Sequence, residues 1–119
     1  MEIIKINKGY GNFECGYYKG DKFILHREDD EPAQKLYHYR AWYQHGKFHR
    51  ENGLPARTWA DGSQEWLVHG RHHRLDGPAI EYDSAICKKE KSYWINGERV
   101  DGRRFKTLVK QYLISLISK

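Results

Sequence analysis

Two pairs of histidines share a spacing of four residues, His45 with His49 and His69 with His73, in a chain that carries seven histidines among 119 residues. On a helix that spacing puts two imidazoles on one face, where they can ligate zinc, and a glutamate between them serves as the general base of a zincin. Here a glycine interrupts each pair (Gly46, Gly70) and no carboxylate completes an HExxH pattern, which removes the helical geometry. The residue types favour a structural role instead: the His and the Arg that follows it (Arg50, Arg74) hydrogen-bond a neighbouring turn or stack on the next aromatic ring. A zinc site around His69, His72 and His73, serving a metal-dependent enzyme, is the alternative; no metal and no cofactor are expected.

Other chemistries need arrangements that the chain lacks. A nucleophile requires an adjacent base, and acid–base catalysis requires carboxylates paired in a pocket. No serine lies in a GxSxG elbow, the acidic residues mostly sit beside Lys or Arg in turns, and Cys15 and Cys87 are isolated, in no CxxC motif. A redox or metal knuckle is therefore not expected, and one disulfide between these two cysteines is left open. The expectation is a protein without catalytic residues.

Charge points to partners. Lys and Arg number 21 against 16 Asp and Glu, and the excess is local: residues 102 to 119 hold Arg103, Arg104, Lys106, Lys110 and Lys119 with no acid, so the first 101 residues balance. A surface wrapped in duplex DNA through many phosphates would be basic throughout. Nucleic acid stays as the second reading, through the basic C-terminal segment, joined by Arg71, Arg74, Lys88, Lys89 and Lys91, with Trp42, Tyr43 and Tyr93 as stacking surfaces.

These residues have to be positioned by regular elements, and an internal repeat supplies them. The block from Trp42 to Ala56 recurs from Trp66 to Ala79: Trp, His, Gly, His-Arg and Gly align at an offset of 24, and Pro-Ala at 23 because Leu54 is extra. A degenerate first copy holds Gly20, His26-Arg27 and Pro32-Ala33, and a fourth starts at Trp94-Ile95-Asn96-Gly97 and stops after one hairpin. After each proline the period is two. Pro32, Gln34 and Leu36, then Pro55, Arg57 and Trp59, then Pro78, Ile80 and Tyr82 line one side, the register of a half-buried strand. Asp61-Gly62, His45-Gly46, His69-Gly70 and Asn96-Gly97 supply tight turns. Met1 to Tyr18 reads as an opening hairpin, with Ile4 and Ile6 on one face and Gly9-Tyr10-Gly11 as its turn.

From Asp101 the period becomes helical: Phe105, Leu108, Val109, Tyr112, Leu113, Leu116 and Ile117 form an apolar stripe over three to four turns. Asp101 suits the N-cap, with Val100 and Phe105 spaced as a hydrophobic staple. The stripe is expected to plug the end or cover one face of the sheet; docking on a partner or a second copy is the alternative. Arg103 and Arg104 oppose the helix dipole in the first turn, which points to an acidic surface or a salt bridge within the fold.

A 14.2 kDa chain with a mean hydropathy of -0.93 makes one domain with a thin core, since four Trp and nine Tyr contribute much of its apolar area. No run reaches the ~18 apolar residues of a membrane span and no signal-peptide core follows Met1, so a cytoplasmic protein is expected.

The unit Gly-x-x-His-Arg-x-x-Gly-Pro-Ala followed by an aromatic strand resembles the MORN-variant, or HRxxGPA, repeats found in small proteins of bacteria, large phages and giant viruses. The resemblance spans residues 17 to 101 and is closest in the third copy. It implies hairpins stacked into an elongated sheet, association with proteins or membranes, and no catalysis.

The sequence therefore predicts a mainly β single domain over 1–119: opening strands over 1–16, a meander of antiparallel hairpin repeats of about 23–24 residues over 17–101, and a closing amphipathic helix over 102–119. The expected function is a non-catalytic protein-binding module, and by analogy a phage or bacterial accessory factor that inhibits or recruits a host protein in the host cytoplasm. Tyr39, Tyr43, Arg103, Arg104 and Lys110 are the candidate binding residues, aromatics and arginines being the usual hot-spot types. A homodimer through the open sheet face is an alternative assembly.

Overall fold

A computed structural model of the chain describes residues 2–83 and 89–118. Its main element is a meandering antiparallel sheet. The opening strands β1 (Ile4–Gly9) and β2 (Asn12–Lys19) lead into β3 (Lys22–Leu25), β4 (Gln34–Leu36), β5 (Tyr39–Ala41), β8 (Arg57–Trp59), β9 (Gln64–Glu65), β12 (Ile80–Tyr82), β13 (Glu90–Ile95) and β14 (Glu98–Val100). The spatial order is β1-β2-β4-β5-β8-β9-β12-β13-β14, with β3 added to β2. Two further hairpins stand apart as two-stranded sheets, β6 (Tyr43–Gln44) with β7 (Lys47–Phe48), and β10 (Leu67–Val68) with β11 (Arg71–His72). The mainly β meander expected from the period-two pattern is thus present, but each unit contributes two hairpins, one inside the sheet and one beside it.

The row Glu14–Gln34–Ala41–Arg57–Glu65–Ile80–Ser92 runs in register across the sheet. Residues two further along share its face, so Leu36, Tyr39 and Trp59 pair on the same side, as the positions after each proline predict. The opposite face carries Phe13, Lys35, Arg40, Thr58, Gln64, Glu81 and Lys91.

The Pro-Ala step marks the junction between the two hairpins of a unit. Ala33, Ala56 and Ala79 are fully buried. Their carbonyls accept from the N–H groups of Cys15, Trp42 and Trp66, at 2.6, 2.8 and 2.8 Å, while Ala56 and Ala79 donate to Glu65 and Ser92. With backbone pinned on both sides and no open space around Cβ, only a small side chain fits.

These hydrogen bonds also correct the alignment of the fourth copy. Gly46, Gly70 and Gly97 occupy one position, each donating to the preceding unit, to Leu25, Phe48 and His72. Counting back from them, the place of Trp42 and Trp66 falls to Tyr93, not Trp94. Trp94 takes the place of Tyr43 and Leu67 and turns its indole N–H to Ser92 Oγ (2.8 Å), whereas Trp42 and Trp66 donate to the carbonyls of Asp30 and Gly53 in the preceding loop. The step from this position to the turn glycine is four residues in every unit, and a match on tryptophan alone conceals it.

The core is a narrow seam, comprising Cys15, Trp42, Trp66, Leu67, Ile95 and Phe105 with the buried alanines. The extents of 45 × 42 × 21 Å and the radius of gyration of 16.2 Å exceed the ~13–14 Å of a compact chain of this length, because thin hairpins branch from a thin sheet. Cys87, Lys88 and Lys119 lie outside the described residues, and with them the question of a Cys15–Cys87 bond.

Asp101 does cap, but it caps a 3-10 turn: its side chain accepts from the Arg103 N–H (2.9 Å) over Gly102–Arg104, and the α-helix α1 begins at Phe105 and runs to Ile117. No helix is long and apolar enough to cross a membrane among the described residues.

Candidate functional site

The His-Arg steps are clamps between units. Nδ1 of His26, His49 and His73 accepts the backbone N–H of His45, His69 and Asn96 in the next turn, at 2.9, 2.9 and 2.8 Å. Those three turn residues hold φ values of 48°, 51° and 49°, the left-handed conformation of a type I′ turn. An accepting Nδ1 requires the proton on Nε2, and in the first two units Nε2 meets Glu28 and Glu51 at 3.1 and 3.3 Å. The His45 and His69 rings then lie over His26 and His49, with centroids 4.3 and 4.4 Å apart.

The arginines close each unit on itself. Arg27, Arg50 and Arg74 donate to the carbonyls of Pro32, Pro55 and Pro78 at 3.3, 3.2 and 3.0 Å. The guanidiniums of Arg50 and Arg74 stack on Trp42 and Trp66 at 3.9 and 3.8 Å, contacts of the cation–π type. Arg27 and Arg74 also pair with Asp29 and Asp76 two residues on, whereas Arg50 reaches back to Asp30 of the preceding unit. Although burial pushes the other way, the hydrogen bonds from Arg27 and from the Glu31 N–H hold Asp29 below the usual carboxylate range. The paired histidines that suggested a metal are thus occupied: His69 covers His49, His72 binds Glu65 (2.7 Å), and His73 accepts from Asn96. No group of three potential metal ligands occurs among the described residues.

A second polar group, not legible as a cluster in the sequence, joins the sheet to the side hairpins. Glu65, 4% exposed, lies between Arg57 Nη1 (3.3 Å) and His72 Nε2 (2.7 Å). Arg57 also donates to Tyr39 Oη (2.9 Å) and packs over Phe48 and Trp59. The signal was present only as two departures from the repeat: Arg57 where the other copies have Gln34 and Ile80, and Glu65 where they have Ala41 and Ser92. A buried carboxylate held by a guanidinium on one side and an imidazole on the other has its hydrogen bonds met, and the pairing ties the side hairpin to the sheet.

Tyr39 and Tyr43 are half-buried beside this group. Tyr39 stacks on Trp59 (5.3 Å), and Tyr43 on Phe48 (4.6 Å). Burial, reinforced by the neighbouring Tyr39, pushes the Tyr43 hydroxyl up to about 12. Burial and the Glu65 carboxylate raise Tyr82 as well.

The other three candidates sit on the C-terminal segment, distant from the tyrosines in sequence and on a different element. Arg103, Arg104 and Lys110 are exposed. The Arg103 guanidinium lies 3.7 Å from the Asp101 carboxylate, with 93% of its side chain in solvent. Of the expected apolar stripe only the first half is covered: Phe105 is 7% exposed against Tyr93 (4.7 Å), Leu108 and Val109 are half-buried, and Tyr112 meets the His73 ring edge-on (5.4 Å). Tyr112 there covers the His73 ring, the place His45 and His69 fill in the preceding units. Beyond it Leu113, Leu116 and Ile117 are 43, 48 and 82% exposed, and Ile114 adjoins them at 61%. The helix therefore plugs the last unit with two turns and leaves the remainder of its stripe bare, in contrast to the full cover expected.

Of the basic residues proposed as a second patch, Arg74 is held by Asp76, Glu81 and the Trp66 ring, and Lys89 pairs with Asp83 (3.3 Å). No family model matches the chain, and neither a curated protein nor a solved structure shows a significant match to it.

Proposed function

We propose that the protein is a non-catalytic interaction module built from MORN-variant-type hairpin repeats, and that it docks α1 into an acidic, partly apolar groove on a protein partner. The observation that carries this reading is the bare end of the stripe, Leu113, Leu116 and Ile117 with Ile114 beside them. Apolar area kept in water forgoes about 25 cal/mol per Å² of burial, and an amphipathic helix offered in this way suits a groove. The charges complement an acidic wall, since residues 102 to 119 contain five cations and no acid. From the fractional exposures, the four residues present roughly 400 Å², about half of one partner's share of a standard interface. That favours a groove enclosing the helix over a flat pairing of two like-charged copies. The use of His, Arg and Glu side chains in clamps supports a role without catalysis.

The test is an affinity pull-down from native-cell lysate, split into nuclease-treated and untreated halves, using the wild type and Leu113→Lys/Ile117→Lys. A protein retained by the wild type in both halves and lost by the variant, whose unfolding midpoint is unchanged, is the expected result. Equal retention by the variant removes the helix from the account. Recovery that vanishes with nuclease replaces the protein partner by nucleic acid.

A further inference from the structure

At the turn end of the sheet the hairpin tips carry side chains that the repeat does not need. Tyr10 occupies the first position of the β1–β2 turn at φ 53° and is fully exposed. A bulky aromatic in the left-handed region is uncommon, and Asn, Asp or Gly are the residues that suit a type I′ turn. His45, His69 and Asn96 hold the same conformation for a visible reason, because each gives its N–H to a clamp. Tyr10 gives its backbone and side chain to no such contact among the described residues. On the neighbouring tip Tyr37 is 77% exposed and stacks on His38 at 4.2 Å.

Between these tips lies a cleft of about 330 Å³ bordered by Tyr10, Tyr37, Tyr39 and Trp59, and by Lys35 and Arg40. Lys35 and Arg40 are directly opposed across β4 and β5, a like-charge pair that weakens a sheet. No carboxylate borders the cleft, and neither cation forms a salt bridge among the described residues. The Lys35 ammonium leans on the Gly11 carbonyl at 3.4 Å, in the same turn as Tyr10. An exposed ring held in a costly conformation and two unneutralised cations thus meet at one cleft. Stacking faces beside cations are the features that hold a base and its phosphate.

We propose that this cleft binds a phosphorylated nucleobase, as a free nucleotide or as part of a single strand, with the base on the exposed Tyr10 and Tyr37 and the phosphate on Lys35 and Arg40. The site is separate from α1 and stands or falls independently of the helix. Tyr10→Asn relieves the turn, and Arg40→Glu turns a like-charge pair into an opposite one. Both variants should therefore unfold at the same temperature as the wild type or higher, while binding falls. The probes are a short fluorescein-labelled oligothymidylate, read by anisotropy at low and moderate salt, and AMP, read by quenching of tryptophan fluorescence.

The expected result is saturable binding of at least one probe, weakened about tenfold or more by each substitution and weakened by salt. AMP binding comparable to that of the oligonucleotide assigns a free nucleotide, and binding of the oligonucleotide alone assigns a strand. Failure of both probes to bind, unchanged affinity in Tyr10→Asn and Arg40→Glu, or displacement of the labelled oligonucleotide by polyglutamate at lower concentration than by unlabelled oligothymidylate of equal charge would overturn the proposal.

Discussion

Replacing His49 by Ala removes a clamp from the middle of the repeat, and the structure allows the cost to be worked out. The ring is 6% exposed, its Nδ1 accepts the His69 N–H at 2.9 Å, and it packs against the His69 ring. Losing the hydrogen bond and leaving a partly buried N–H unmatched costs about 1–2 kcal/mol. Emptying the space of a small buried ring adds about 1 kcal/mol. The sum, about 2–3 kcal/mol, lowers the midpoint of a chain this size by roughly 8–12 °C. His49→Asn distinguishes the hydrogen bond from the packing, because the Asn amide oxygen lies near the position of Nδ1 and can accept the same N–H. It should recover about 1 kcal/mol. His69→Asn keeps the left-handed turn, as Asn96 does, but uncovers the His49 ring, which Tyr112 prevents at His73, and should cost about 1 kcal/mol. Thermal and urea unfolding followed by tryptophan fluorescence reads all three. An Ala variant within about 0.5 kcal/mol of the wild type, the range of an ordinary surface change, would refute the clamp.

Trp66→Ala should cost about 3–5 kcal/mol in urea unfolding, because the buried ring supports Arg74 and bonds Gly53. Phe105→Ala should release the helix from Tyr93, with a comparable loss of stability and lower helical circular dichroism, whereas Arg103→Ala/Arg104→Ala should leave the midpoint unchanged and weaken partner binding. Burial lowers the pKa of His73, so the unfolded chain binds this proton more readily. Its contribution is complete above the unfolded value of about 6.5 and is lost as pH falls through the folded one. The difference in urea midpoint between pH 7 and pH 5 should accordingly be smaller in His73→Asn than in the wild type. At the alkaline end the sign reverses: Tyr43, raised to about 12 by burial and Tyr39, contributes stability below the unfolded value of about 10 that is lost as pH rises through 12. Ultraviolet titration should show a late phase that loses one tyrosine in Tyr43→Phe, Tyr82 also being raised by burial.

The fold was legible because its signals are local. A period of two after each proline, glycines at the turns and a period near 3.6 from Phe105 each report on a few neighbouring residues. The repeat also exposed the clamps, since the same His-Arg pair returns before the same Pro-Ala. What the sequence could not display is contact between residues of different periodicity. Glu65, Arg57 and His72 converge from the sheet and a side hairpin, and the shift from Trp94 to Tyr93 shows only in the backbone hydrogen bonds that align the turn glycines. How much of the helix stripe is covered depends on where the sheet ends beneath it, which no property of residues 105 to 117 encodes. Of the candidate residues, Tyr39 and Tyr43 are engaged within the fold, while Arg103 and Arg104 stand in solvent ahead of α1 and Lys110 in its middle.

Residue-resolved amide hydrogen exchange of the isolated protein bears most directly on the division between clamps that hold the fold and a helix end kept for a partner. The amides of His45, His69 and Asn96 should exchange only with global unfolding, and those over residues 113 to 118 orders of magnitude faster. The reverse pattern, with a protected helix end and rapidly exchanging turn amides, would make the helix the structural element and free the histidines for chemistry.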